Sequence, residues 1–124
     1  MNTAGIIIAD DNAQNLYLAR FLLERAGYTV REARNGEEAV ALNRAEVPCL
    51  ILMDIQMPGM DGLEATRSIK SQQPAPLIVA LTAHAMSGDR EYILAAGCDG
   101  YIEKPIDPAT FVERIKSYLT KVSE

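Results

Sequence analysis

The chain is short of the residues that staple, ligate or anchor. It has no tryptophan, one histidine and two cysteines, Cys49 and Cys98. The cysteines form no CxxC pair and no histidine lies near either, so a zinc site or a disulfide framework is not expected. Both are expected to be reduced core thiols. An excess of basic charge is also missing: 12 Lys and Arg face 17 Asp and Glu, a net charge of −5. That balance argues against nonspecific DNA binding or attachment to a membrane surface as the main task, and leaves a protein partner open. The longest apolar runs are far too short to span a bilayer. The start, MNTAG, lacks a basic and apolar signal region, so a cytoplasmic location is expected. There is no internal repeat, low-complexity tract or linker.

What is present is one domain's worth of chain, 124 residues, of which 48% are hydrophobic and 23% charged. That suffices for one well-covered core and excludes disorder. The pattern alternates. Apolar runs at Gly5–Ala9, Leu50–Met53 and Leu77–Leu81, with a weaker edge-like run at Tyr28–Ala33 and a short one at Gly100–Glu103, read as strands. Between them lie helical spacings: Ala13–Ala26 with Gly27 as its stop, Gly36 to about Glu46 before Pro48, and Gly62–Ser71 capped by Asp61. The last two are Ser87–Ala96 with Ser87 as cap and Gly97 as stop, and Asp107–Val122 with Asp107 as cap and Pro108 at the first helical position. Five β-α units of this kind predict a parallel sheet with helices on both faces. Ligands of such sheets sit beyond the carboxyl ends of the strands.

Those ends carry a consistent set. Asp10 and Asp11 follow the first strand, Asp54 the third and Thr82 the fourth, while the fifth runs out into Lys104 and Pro105. Three clustered carboxylates repel one another, and a divalent cation relieves the conflict. All-oxygen ligands suit Mg²⁺ or Mn²⁺. A hydroxyl and an ammonium beside them suit phosphoryl oxygens. No GxxxxGK[ST] or GxGxxG occurs, which excludes a P-loop or a dinucleotide site. Asp54, in CLILMDIQMPGMDG, is the natural carrier of a phosphoryl group, because a carboxylate can act as nucleophile and form an aspartyl phosphate.

These pieces together resemble the receiver domain of two-component response regulators. The matching motifs are ADDN after the first strand, LMDIQMPGMDG around Asp54, ALTA with Thr82, and GYIEKP with Tyr101, Lys104 and Pro105. The similarity covers about residues 5–120, so residues 1–124 are expected to form a single receiver domain. The resemblance implies a doubly wound, flavodoxin-like α/β fold: five parallel strands in the order 2-1-3-4-5, with five helices. It implies that Asp54 is the phosphoacceptor, and that Asp10, Asp11, Asp54 and the backbone carbonyl of Gln56 hold Mg²⁺, for which Mn²⁺ can substitute. Lys104 would pair with the phosphoryl group, Thr82 would hydrogen-bond it and Tyr101 would swing inward behind Thr82. The Lys104–Pro105 bond would be cis. Gln56 and His84 would flank the phosphoryl group and tune the lifetime of the aspartyl phosphate. The donor would be the phosphohistidine of a sensor histidine kinase or a phosphotransfer protein, and the chain's own His84 is not that donor. The output would be a changed surface of the fourth helix, fifth strand and fifth helix, read by a protein target and not by nucleic acid or membrane. Catalysis would be limited to the domain's own phosphorylation and dephosphorylation.

Each residue also has a plainer reading. Asp10 and Asp11 could cap the helix that follows, Asp54 could form the turn before Pro58, Thr82 could be a cap, Lys104 a solvated lysine and Tyr101 a packing aromatic. Two other functions compete with a phosphorylation switch. A haloacid-dehalogenase-like phosphatase also uses a strand-end aspartate with Mg²⁺, but needs a second aspartate where Gln56 stands, and a cap domain. A pseudo-receiver would be a fold-only interaction module, yet such domains lack pocket residues and none is missing here. The chain stops at KVSE with no output domain, so a stand-alone receiver is expected.

Overall fold

The computed structural model describes residues 5–57, 61–72, 74–83 and 89–123. Strands and helices alternate as β1 (Gly5–Ala9), α1 (Ala13–Arg25), β2 (Thr29–Ala33), α2 (Gly36–Ala45), β3 (Leu50–Asp54), α3 (Gly62–Lys70), β4 (Leu77–Thr82), α4 (Asp89–Ala95), β5 (Gly100–Glu103) and α5 (Phe111–Ser123). The five strands form one parallel sheet in the order β2-β1-β3-β4-β5. This is the doubly wound, flavodoxin-like fold. Strand order reverses at β1, so a crevice opens between the carboxyl ends of β1 and β3.

Why these runs become strands is visible in their burial. Every residue of β3 is buried, and in β1 and β4 all but the first. A strand covered on both faces reads as a continuous apolar run, not an alternating one. The side-chain period of two then sorts each strand between two cores. Ile6, Ile8, Leu50, Leu52, Val79, Leu81 and Ile102 pack with α1 and α5 through residues such as Leu16, Leu23, Phe111 and Ile115. Ile7, Ile51, Met53, Ile78 and Ala80 pack on the other face with Ala39, Ala65, Ile69 and Ile93 of α2, α3 and α4. β2, with exposed and half-buried positions, lies at the edge as expected.

Several local expectations change. The cap of α1 is Asn12, whose side chain accepts the Asn15 N–H, so neither Asp10 nor Asp11 is needed there. Asp61 does cap α3, accepting the Glu64 N–H at 2.8 Å. Gly27 and Gly97 end their helices with φ of 101° and 108°, the left-handed region where a side chain is strained. α5 starts at Phe111, later than the predicted Asp107. Asp107 closes a turn ahead of the helix, accepting Ala109 N–H on Oδ1 and Thr110 and Phe111 N–H on its carbonyl. Cys49 is exposed, not a core thiol, whereas Cys98 is buried. Cys49 precedes β3 at the amino edge of the sheet, where the helical layers no longer cover it. The predicted cap Ser87 lies outside the described residues.

Candidate phosphoryl and metal site

The period of two also places the acidic pair. Asp10 continues the Ile6–Ile8 side of β1 and Asp54 the Leu50–Leu52 side of β3. Lys104, two residues past Ile102, falls on that same side beyond the end of β5. All three emerge where the α1/α5 core stops, and the four-carbon stem of Lys104 spans β4. Its ammonium lies 3.0 Å from Asp54 Oδ2 and 3.5 Å from Asp10 Oδ2. The Lys104–Pro105 peptide bond is cis.

Both carboxylates are buried, Asp10 at 0% and Asp54 at 3% exposure, and each spends one oxygen on a backbone N–H. Asn12 N–H donates to Asp10 Oδ1 at 2.9 Å, and Gln56 N–H to Asp54 Oδ1 at 3.0 Å. These bonds fix the two side chains and leave the Oδ2 atoms facing the crevice. Asp10 Oδ2 is a buried acceptor that receives no hydrogen bond. Asp11 is exposed at the rim, and one oxygen from each of Asp10, Asp11 and Asp54 lies within 4.8 Å of the others. Burial pushes the Asp54 carboxyl above the usual carboxylate range, and the neighbouring Asp10 charge pushes the same way. The Gln56 N–H and Lys104 pull it back without cancelling the rise. One ammonium therefore does not balance the pocket. Three oxygen donors, an unfilled buried acceptor and surplus negative charge fit a hard divalent cation such as Mg²⁺.

The other predicted residues surround this centre. Thr82 ends β4, is 1% exposed, and its carbonyl accepts the Lys104 N–H at 2.8 Å. It shares the sheet face of Ile78 and Ala80, opposite that of Asp54, so it borders the crevice from the α4 side. Tyr101 is half-buried on the same face, paired in register with Ala80. Gln56 is exposed next to the Asp54 turn. His84 lies outside the described residues, and its predicted flanking position with it.

Three contributors were not evident from the sequence. Asn12 orients Asp10 through its backbone and caps α1 with its side chain; the ADDN motif holds the signal, but the two aspartates obscured it. Gly62, expected only to begin the helix that Asp61 caps, lets the first turn of α3 lie against β3: a Cβ there would collide with the Asp54 carbonyl and come within 2.7 Å of Ile55 Cα. Arg90 places its guanidinium over the Tyr101 ring, 5.9 Å from the centroid, a contact between distant elements that no local pattern encodes.

The chain is similar in sequence and fold to known proteins. The family model for the response regulator receiver domain matches residues 6–116. The chain is 46% identical over 119 residues to the polar-differentiation response regulator DivK of Brucella ovis, covering 94% of this chain and 97% of that protein. It is 47% identical over 117 residues to DivK of Brucella anthropi, covering 93% and 95%. Among solved structures it resembles the receiver domain of a sensor histidine kinase from Pseudomonas aeruginosa, which has a magnesium ion coordinated in its active site cleft. The TM-score is 0.88 at 33% identity, over 96% of this chain and 99% of that one. A receiver domain protein from Methanospirillum hungatei gives a TM-score of 0.89 at 32% identity, over 97% and 96%.

Proposed function

The chain belongs to the response regulator receiver domain family, and from that premise we propose that it is a phosphorylation switch whose phosphoacceptor is Asp54. The observation that carries the reading is the pairing of Asp54 Oδ2 with Lys104 at 3.0 Å beside the unfilled buried acceptor of Asp10. The phosphohistidine of a sensor kinase or a phosphotransfer protein presents its phosphorus to Asp54. The Asp54 oxygen forms the new O–P bond as the P–N bond breaks, and the imidazole leaves with its electron pair and takes up a proton. Positioning and charge neutralisation are most of what such a transfer asks of the protein. Lys104 already stands at the attacking oxygen and follows the charge onto the phosphoryl group. Thr82 supplies a hydroxyl donor from the far side of the crevice. Asp10, Asp11, Asp54 and the Gln56 carbonyl would hold Mg²⁺, or Mn²⁺ in its place, and the bound cation supplies countercharge for the carboxylates and the phosphoryl oxygens.

Gln56, exposed beside the turn, and His84 are read as the residues that tune water attack on the aspartyl phosphate. Dephosphorylation rates unchanged in both Gln56→Ala and His84→Ala would remove that role. The phosphorylated form would draw in Thr82 and Tyr101 and alter the α4–β5–α5 surface for a protein target. No helix among the described residues is long and apolar enough to cross a membrane.

The decisive experiment is incubation with Mg²⁺ and a small acyl phosphate, followed by intact-mass measurement. One added phosphoryl group is expected, lost in Asp54→Asn and with a chelator. No modification under any donor and metal condition would leave the fold serving interaction alone.

A further inference from the structure

Tyr101 is held from two sides in different ways. Its backbone is pinned: β5 pairs it with Ala80, and its carbonyl accepts Arg114 Nη2 at 3.2 Å and the Tyr118 hydroxyl at 3.3 Å, both from α5. Gly100 sharpens that grip, because the Tyr118 ring occupies the space its missing side chain leaves. The ring is held otherwise. It is half-buried against the Ala80 side of the sheet, and the exposed Arg90 at the start of α4 lies over it. A guanidinium 5.9 Å from a ring centroid is within the range where the negative face of the ring attracts a cation. Among the described residues no salt bridge competes for Arg90. With the backbone fixed, rotation about χ1 is the motion left to this residue. Thr82 shares the sheet face of Tyr101 and Ala80, so an inward rotation brings the ring toward Thr82 and takes it off Arg90.

We propose that Arg90 is a latch. Its cation–π contact holds the Tyr101 ring outward in the unphosphorylated domain and ties the position of α4 to that of the ring. The proposal rests on the phosphorylation-switch reading only in what the latch serves; the contact itself belongs to the resting protein. Opening it requires the ring to leave Arg90, so α4 loses this contact with β5 at the moment the ring turns in. By linkage, whatever shifts α4 also loosens the ring, and whatever draws the ring inward frees α4. An exposed contact of this kind shifts the outward-to-inward ratio by about two- to fivefold.

The test incorporates 3-fluorotyrosine, assigns the Tyr101 fluorine signal with Tyr101→Phe, and compares the full chain with Arg90→Gln and Arg90→Lys without phosphodonor. Arg90→Gln is expected to move the Tyr101 signal toward the inward position by that factor, and Arg90→Lys, which keeps the charge, to stay near the unsubstituted protein. With Mg²⁺ and beryllium fluoride as the phosphoryl analogue, Arg90→Gln is expected to bind the analogue more tightly by the same factor. A Tyr101 signal in Arg90→Gln that coincides with that of the unsubstituted protein overturns the latch, as do equal shifts in Gln and Lys. If the unsubstituted protein never takes a phosphoryl group on Asp54, the switch reading fails instead, and the donor-free fluorine comparison still decides the latch.

Discussion

At the scale of the residue, Asp54 shows why a receiver pocket in isolation is electrostatically unfinished. The raised carboxyl, driven first by burial and then by Asp10, means that keeping Asp54 ionised in the metal-free fold opposes folding. The sign is the reverse of a salt-bridged aspartate. Above the folded-state pKa the destabilisation is complete. It falls as pH drops through that value, where the folded protein takes up a proton before the unfolded chain does. Below the ordinary carboxylate range it is gone. Asp54→Asn is therefore expected to melt higher than the unsubstituted protein at neutral pH in chelator, with the gap closing on acidification through the raised pKa. Calorimetry across pH checks this; a metal-free Asp54→Asn variant that melts lower at neutral pH would show that the pair with Lys104 outweighs the burial.

At the scale of the element, what was legible followed from whether a signal was local. β1, β3 and β4 could be read because burial on both faces leaves unbroken apolar runs, and the ends of β1 and β3 because Asp10 and Asp54 interrupt them. Helix stops at Gly27 and Gly97 could be read because only a left-handed residue fits there. The start of α5 could not: Asp107 and Pro108 resemble a cap and first turn, yet Asp107 spends its carbonyl on closing a separate turn. The exposure of Cys49 was hidden for a related reason, since composition cannot show where the helical layer ends over a strand. Gly62 was hidden because its constraint is on space at a packing contact with β3, not on its own backbone. That yields a prediction. In Gly62→Ala the new methyl meets the Asp54 carbonyl and Ile55, both backbone, so the β3–α3 junction must shift. A loss of about 1–3 kcal/mol in urea unfolding is expected, with slower phosphorylation by a small acyl phosphate, because the displaced strand end carries Asp54, the proposed phosphoacceptor. Unchanged stability and rate together would mean that the junction is looser than the contact implies.

At the scale of the whole molecule, the site exists only because the sheet does. Asp10 and Asp11 reach Asp54 through the β1–β3 pairing, and Lys104 arrives from the far edge across β4. The unfolded chain has no such cluster, so cation binding feeds directly into folding stability. At a hundredfold excess over its Kd, Mg²⁺ is expected to add about 2.7 kcal/mol, which for a domain of this size is a rise in Tm on the order of 10 °C. The same metal should reverse the order at Asp54. In chelator the Asp54→Asn variant is expected to be the more stable; in saturating Mg²⁺ the unsubstituted protein should gain ligand energy that a neutral amide cannot supply, and its melting point should overtake. Asp10→Asn should blunt the Mg²⁺ response in the same way. Parallel melting curves that keep their order with and without Mg²⁺ would separate the acidic pocket from cation binding, whereas a crossover would tie the burial of Asp54 to the proposed cation.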